Sequence, residues 1–336
     1  MKRKAKQTVF LKNKPRFVAT YAVVGPKEGK GPMSKYFDEI LPDDKLGQKT
    51  YEKAEQRLME RAVLGAIKKS GLKKDEIDMF LSGDLLNQII SATFTARDFS
   101  ISYVGLFGAC STMTESLALG SCLVDGGYVN NVICTTGSHF STAERQFRNP
   151  LELGNQRPPT SQWTTTGAGA SILSLSNDEN LPYIECVTFG KVIDFGIADV
   201  NNMGAAMAPS AMDTLISHFK ETGRKPEDYD YIFTGDLGKL GSEILIDLME
   251  HNGIKLGMNY CDCGNMMFDN EQKVFMGGSG CGCSATILNS FVMDKFRKKE
   301  IKSVLFLSTG ALLSTLSSQQ GETIPGIAHA IVIRRD

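Results

Sequence analysis

The sequence has no long apolar run and almost no net charge. No segment approaches the ~18 consecutive apolar residues that a membrane-spanning helix requires. The 37 basic and 38 acidic residues leave a formal net charge of -1, which gives the whole chain no field to hold nucleic acid or a membrane surface. The N-terminal MKRKAK is basic but is not followed by an apolar signal core, so we expect an intracellular, soluble protein that binds small ligands or other proteins.

Histidine is scarce, with four residues among 336. His218 and His251 fall on polar faces or ends of predicted helices, where a solvated role is expected. His139 follows the apolar strand VICTTGS, and His329 lies in the last predicted strand. For these two histidines the alternatives are a place at the functional site or a hydrogen-bonded place in the core.

Cysteine, in contrast, is common, with eight residues. Without a signal segment we expect reduced thiols, most of them small core residues. The pairs Cys261/Cys263 and Cys281/Cys283 raise the alternative of a zinc or redox centre. Zinc ligands are more often separated by two to four residues, and no histidine follows Cys263 closely, so we predict no metal cofactor.

The chain contains an internal duplication. The segment 68–85, KKSGLKKDEIDMFLSGDL, matches the segment 220–237, KETGRKPEDYDYIFTGDL, at a constant separation of 152 positions, as between Asp84 and Asp236. Each copy predicts a helix, a glycine C-cap, a charged loop, a buried strand and then Gly-Asp. Cys110 and Thr136 are also as far apart as Cys283 and Thr309, so the intervening loop and apolar helix are duplicated as well.

The duplication predicts two similar α/β halves, residues 1–177 and 178–336, with an insertion in the second half around NYCDCGNMMFDNEQK. Each half should contain a mixed sheet and a buried helix that starts at a cysteine loop. If the two buried helices pack back to back, a pocket forms between the halves, near both helix N-termini and both Gly-Asp strand ends.

The sequence GACST around Cys110 and the small-residue strand TTTGAGASIL resemble the thiolase-like superfamily, which includes thiolases and ketoacyl synthases. The resemblance implies a thiolase-like fold: two α/β halves related by a pseudo-twofold axis, with buried helices between two mixed sheets. It also implies that Cys110 is equivalent to a nucleophilic cysteine.

Six further segments are similar to the stage V sporulation protein AD family, which is thiolase-like and occurs in endospore formers. They extend from Tyr21 to Ser314: YAVVGPKEGKGP, SGDLLNQ, FGACSTMTESLALGSCLVDGGY, GSHFSTAERQFRNP, MGAAMAPSAMDT and TGALLS.

A condensing enzyme of this superfamily needs two further groups, His-His or His-Asn, beside its cysteine. At the position of the first, this chain has Gly235 and Asp236 in IFTGDLGKLG. The loop that supplies the second reads GGSGCGCSA and contains neither His nor Asn. An ionised Asp236 would repel the negative charge of the transition state, so we predict no catalytic residue and interpret the chain as a non-enzyme.

The family resemblance implies binding of dipicolinic acid (pyridine-2,6-dicarboxylic acid), as its calcium complex, for uptake into the developing spore. Calcium would enter only as part of this ligand. Helix-end N–H groups, Ser111, Thr112 and His139 are candidate donors to the carboxylates, and Asp84 and Asp236 are candidate oxygen ligands for Ca²⁺ or caps of neighbouring turns. The candidate binding set is completed by Cys110, Cys281, Cys283 and His329.

Two alternatives stay open: an acyltransferase that works through Cys110 alone, and a structural subunit of a spore membrane assembly. The resemblance implies, as partners, the other stage V sporulation A proteins, which are membrane proteins, and thus a cytoplasmic location at the periphery of the spore inner membrane. It also implies a homodimer, for which we predict NVICTTG as the edge strand.

Overall fold

The computed structural model describes residues 5–147 and 156–336. The described strands are β1 Thr8–Phe10, β2 Arg16–Val24, β3 Glu39–Ile40, β4 Met79–Gly83, β5 Tyr103–Gly105, β6 Asn131–Ser138, β7 Trp163–Thr164, β8 Gly167–Ser174, β9 Tyr183–Thr188, β10 Tyr231–Thr234, β11 Tyr260–Asp262, β12 Gly278–Ser279, β13 Ser303–Ala311 and β14 Gly326–Arg334. The helices are α1 Tyr51–Ser70, α2 Ile90–Phe99, α3 Thr112–Gly126, α4 Phe140–Phe147, α5 Met203–Thr222, α6 Gly238–His251, α7 Cys263–Met267, α8 Cys281–Ile287, α9 Met293–Arg297 and α10 Thr315–Gln319.

The two halves have the same sheet topology. The first half has the strand order β2-β8-β6-β4-β5, and the second has β9-β14-β13-β10-β11. In both orders, the first two strand pairs are antiparallel and the last two strand pairs are parallel. The duplication in the sequence is therefore a duplication of the fold.

The two sheets meet where β2 and β9 pair through Arg16 and Tyr183. The predicted boundary between residues 177 and 178 falls between β8 and β9, and it stays a prediction. The second half also contains α7 and β12, which have no counterpart among the described residues of the first half, and β12 pairs with β7 of the first half. The extra residues therefore join the halves.

The outer helices α1 and α5 occupy equivalent positions and end in the same way. Thr50 caps α1 by accepting a hydrogen bond from the Lys53 N–H, and Asn202 caps α5 by accepting one from the Ala205 N–H. Their C-caps Gly71 and Gly223 have φ of 72° and 70°. This left-handed backbone is open to glycine at little steric cost, which explains both helix ends.

The inner helices lie between the sheets. Helix α3 packs on β6 of its own half and on β13 and β14 of the other, while α8 packs on β8 and β6 of the first half. Residues 281–297 continue from α8 through one π-helical stretch, Leu288–Val292, into α9. Because both sheets cover these helices, the residues at their starts are buried.

The prediction that NVICTTG forms an edge strand is wrong. This segment is β6, which pairs with β4 on one side and β8 on the other. Its apolar character comes from its central place in the sheet. In the described chain the free edge of the first sheet is β5, which pairs only with β4.

Candidate functional site

A cavity of about 450 Å³ opens beside Cys110, and both halves line it. The first half contributes residues 84–89, the Cys110 turn and the end of α4. The second half contributes the start of α5, Ser279 and residues 311–314. The cavity thus lies where the carboxyl end of β4 and the segment after β13 face each other.

Cys110 is held in a tight turn ahead of α3. The turn Ala109–Ser111 precedes Thr112, the first residue of the helix, and Ala109 has φ of 49°. The Ser111 hydroxyl donates to the Gly108 carbonyl, and the Thr112 hydroxyl donates to the Ala109 carbonyl at 2.6 Å. Both predicted donors are therefore buried and engaged in the turn itself, and only Ala109 and Cys110 of this turn line the cavity.

Asp236 and Cys281 stand beside the Cys110 thiol. Asp236 is fully buried and accepts hydrogen bonds from the Thr309 hydroxyl at 2.7 Å and the Gly280 N–H at 2.9 Å. The Cys281 thiol donates to the carbonyl oxygen of Ala109 at 3.1 Å. Asp236 belongs to the segment IFTGDLGKLG and Cys281 to the loop GGSGCGCSA. These are the two segments in which a condensing enzyme is expected to carry its histidine and its second His or Asn.

The environment of Cys110 keeps its thiol protonated. The hydrogen bond with Cys281, burial and the negative charge of Asp236 together raise the pKa of Cys110 well above its usual range. A helix start by itself lowers the pKa of a thiol, but at Cys110 the hydrogen bond with Cys281, burial and the neighbouring carboxylate act in the opposite direction and outweigh it. A protonated thiol is a poor nucleophile.

Asp84 lines the cavity and caps the loop that follows β4. Its carboxylate accepts from the N–H groups of Leu86 and Ala92, each at 2.7 Å. Burial raises the pKa of Asp84 to about 6, and burial likewise raises the pKa of Asp236 to about 6. Asp84 thus caps a turn, whereas Asp236 accepts hydrogen bonds from Gly280 and Thr309, which are distant from it in the sequence, and of the two only Asp84 lies among the described lining residues of the cavity.

Neither histidine that was expected to approach the site lines the cavity. His139 Nε2 lies 2.7 Å from the Asp44 carbonyl oxygen, and its Nδ1 accepts from the Ser141 N–H. His329 Nδ1 accepts from the Gly190 N–H, and burial lowers the pKa of His329 to about 4. Both imidazoles are buried and bonded to the backbone.

His218 was predicted on a solvated helix face, and this is wrong. It is 1% exposed and lies 2.8 Å from the Thr188 hydroxyl and 2.7 Å from the Tyr229 hydroxyl. Burial lowers the pKa of His218 to about 3. Its hydrogen-bond partners come from β9 and the loop before β10, which the helical pattern of α5 does not reveal.

The remaining candidate, Cys283, is fully buried in α8 and does not line the cavity. All eight cysteines have free thiols. Within residues 5–147 and 156–336, no group of three or more His, Cys, Asp or Glu side chains could hold a metal ion.

Several lining residues were not singled out from the sequence. They are Gln146 and Phe147 at the end of α4, Met203 and Met207 in α5, and Leu312, Ser314 and Ser317 after β13. All of these except Ser317 lie in segments quoted for the family resemblance, as do Asn87 and Gln88, and Ser279 lies in the loop GGSGCGCSA; that placement was the available signal. It is the packing of the two halves that brings them together around one cavity.

The fold is thiolase-like. A structure of 3-oxoacyl-[acyl-carrier-protein] synthase III from Aquifex aeolicus VF5 covers 95% of this chain and 99% of its own, with a TM-score of 0.57 and 12% identity. A variant of OleA from Xanthomonas campestris covers 97% of this chain and 99% of its own, with a TM-score of 0.64 and 11% identity. At such identities the likeness concerns the fold, and it bears out the predicted fold class.

The family model "Stage V sporulation protein AD (SpoVAD)" matches residues 5–334. Stage V sporulation protein AD of Bacillus subtilis (strain 168) is 45% identical over 336 residues, which are 100% of this chain and 98% of the relative. The chain therefore belongs to the SpoVAD family, a group of sporulation proteins. Among the described residues, none of the helices combines the length and the hydropathy of a membrane span.

Proposed function

We propose that the cavity beside Cys110 binds dipicolinic acid as its calcium complex, without catalysis, for uptake into the developing spore. The observation that carries this proposal is the set of groups around the thiol: a carboxylate and a second thiol, with no imidazole among the described lining residues. Such a set lacks an imidazole donor for an oxyanion, while the cavity beside it has room for a small molecule.

The charge of the site favours the calcium complex over the free dianion. The described lining has no Lys, Arg or His, and Asp84 adds a carboxylate. A free dianion would meet no opposite charge there and would be repelled by Asp84. The one-to-one calcium complex is neutral, and its Ca²⁺ still accepts further oxygen ligands, for which Asp84 is the candidate at the cavity surface.

The polar groups on the opposite walls suit the ligand carboxylates. Asn87, Gln88 and Gln146 offer amide groups, and Ser314 and Ser317 offer hydroxyls. These side chains, and not the buried Ser111, Thr112 and His139, are the donors we propose. The apolar lining from Leu86, Phe147 and Leu312 suits the faces of the pyridine ring.

Calorimetric titration with dipicolinate, in the presence and absence of Ca²⁺, tests the proposal. We expect binding that is markedly tighter with Ca²⁺, and weaker binding of pyridine-2-carboxylate, which lacks one carboxylate. Equal affinity for the two acids, or no heat with dipicolinate under either condition, would exclude this ligand.

The acyltransferase alternative has one supporting observation: Cys110 faces the cavity at the start of α3, on a fold shared with a 3-oxoacyl-[acyl-carrier-protein] synthase III. Incubation with acetyl-, malonyl- and longer acyl-CoA distinguishes the two functions. We expect no turnover. CoA release over many cycles that is lost in Cys110→Ala would establish the enzyme instead.

For the partners we propose a homodimer and contact with the other stage V sporulation A proteins at the spore inner membrane. The free edge strand β5 carries Val104, which is 44% exposed, and Phe107 beyond it is 64% exposed. A second copy on this edge would cover both side chains and the open backbone groups.

Light scattering tests the dimer. It should return about twice 36.7 kDa for the wild-type protein and the mass of a single chain for Val104→Asp. Val192→Asp, at another exposed valine, is the control, and a monomeric wild type would contradict the dimer.

A further inference from the structure

Two thiols from different halves of the molecule meet beside the cavity. Cys110 lies in the turn ahead of α3 in the first half, and Cys281 is the first residue of α8 in the second half. The two thiols are in hydrogen-bond contact, and the Cys281 thiol also donates to the Ala109 carbonyl oxygen at 3.1 Å. The fold therefore pairs two cysteines that are far apart in the sequence.

The geometry of this pair suits a covalent bond between the sulfurs. The Ala109 carbonyl oxygen belongs to the same planar peptide unit as the Cα of Cys110, so the Cys281 sulfur lies within about 6 Å of that Cα. The turn Ala109–Ser111 packs directly on α8. A disulfide places its sulfurs about 2.05 Å apart, and rotation of the two side chains is the movement that brings these sulfurs together.

Only one thiol of the pair can be reached from the cavity. Cys110 is 8% exposed and lines the cavity, whereas Cys281 is fully buried behind it and is not among the described lining residues. Cys263 and Cys283 form a second pair of neighbouring thiols, but both are fully buried and neither belongs to the described lining. A small oxidant in the cavity therefore meets Cys110 first, and the second pair serves as an internal comparison.

We propose that Cys110 and Cys281 form an oxidation site, at which a hydroperoxide that enters the cavity converts the two thiols into a disulfide between the halves. With hydrogen peroxide, the Cys110 sulfur takes one oxygen atom as the O–O bond breaks, which gives a sulfenic acid and one water. The Cys281 sulfur then attacks the Cys110 sulfur. The S–S bond forms, the S–O bond breaks, and the hydroxyl group leaves with the thiol proton as a second water.

The surroundings of the pair set the rates of the two steps. The first step is slow because the Cys110 thiol is held protonated and a protonated thiol is a poor nucleophile. The second step is fast because Cys281 is already in contact with the sulfur that it attacks. The pair therefore stays reduced until a hydroperoxide is supplied, and the sulfenic acid does not accumulate. None of these steps depends on the ligand of the cavity.

Mass spectrometry of the ligand-free protein tests the oxidation site. The protein is treated with millimolar hydrogen peroxide, the remaining thiols are alkylated after denaturation, and the peptides are analysed without reduction. We expect one cross-link, between the peptides of Cys110 and Cys281, that disappears on treatment with dithiothreitol. A Cys263–Cys283 bond in its place, or no cross-link once the partly exposed Cys122 is fully oxidised, would overturn the proposal.

Two serine variants identify the partner of Cys110. Cys281→Ser removes the attacking thiol, so the sulfenic acid at Cys110 should persist and react with dimedone about tenfold more than in the wild type. Cys283→Ser, two residues further along α8, is the matched control and should keep the cross-link and the low dimedone labelling. Circular dichroism verifies that both variants are folded. Equal dimedone labelling of Cys110 in the wild type and Cys281→Ser, or loss of the cross-link in Cys283→Ser, would show that Cys281 is not the partner.

Discussion

Around Cys110, one residue identity changes the chemistry of the site. Asp236 follows β10 and stands beside the Cys110 thiol, where its negative charge acts against a thiolate or an oxyanion. The sequence shows this residue in Gly235-Asp236. Its effect on the thiol could not be predicted from the sequence, because Cys110 and Asp236 meet only in the folded chain and the helix start that follows Cys110 favours the opposite shift in pKa.

Asp236→Asn should make Cys110 more reactive. Removing the negative charge beside the thiol lowers its pKa, and each unit of pKa gives about tenfold more thiolate at neutral pH. We therefore expect alkylation by iodoacetamide at Cys110 to be very slow in the wild type and several-fold faster in Asp236→Asn, as followed by peptide mass. Cys122, which is partly exposed and lies near the C-terminal end of α3, serves as the internal reference. Equal Cys110 rates in both proteins would contradict the electrostatic account.

Among the elements, the repeated ones were the most predictable. The helix pattern, its glycine stop and the following Gly-Asp occur twice in the sequence, and the structure places them equivalently in two sheets of the same topology. The central position of β6 was missed because the same apolar sequence pattern is expected of a strand that pairs with one other strand and of a strand that pairs with two. The cavity walls from residues 311–314 and from α4 were missed because they meet only after the halves pack together.

The duplicated helix ends give a prediction that is the same in both halves. Gly71 and Gly223 have nearly equal left-handed φ, and an added Cβ would meet no atom within 4 Å at either position. Replacement by alanine should therefore cost only the backbone strain, about 1 kcal/mol in the free energy of unfolding at each site. Gly71→Asn, which tolerates this conformation better, should recover part of the loss. Denaturant unfolding measures all three variants, and no loss in either alanine variant would contradict the cap assignment.

For the whole molecule, buried carboxyl groups set the dependence of stability on pH. Burial raises the pKa of Glu28 and of Asp262 to about 7 each. The folded protein therefore holds protons that the unfolded chain releases, and this stabilising contribution is lost as the pH rises through 7. The buried His218 and His329 act in the opposite direction, but only below pH 6.5, where the unfolded imidazoles titrate.

The contribution of each carboxyl is lost between the pKa of the unfolded chain and that of the folded protein, at about 1.4 kcal/mol per pH unit, and it no longer changes above the folded pKa. For Glu28 this interval runs from 4.5 to about 7. Glu28→Gln has no such proton to lose, so the free energy of unfolding of the wild type relative to Glu28→Gln should fall over this interval and stay constant above it, as measured by denaturant unfolding at several pH values. A difference between the two proteins that is constant or rises between these pH values would show that folding does not raise the pKa of Glu28.

The account as a whole depends on non-covalent binding in the cavity beside Cys110, and a calorimetric titration of calcium dipicolinate into three proteins tests it most directly. Cys110→Ala should keep much of the wild-type affinity, because no covalent step is needed. Cys110→Trp should abolish binding by filling the cavity, with circular dichroism used to verify that both variants are folded. Wild-type affinity in Cys110→Trp would place the ligand elsewhere. Loss of binding in a folded Cys110→Ala would show that the thiol itself takes part in binding, which contradicts a non-covalent site that needs only the space beside Cys110.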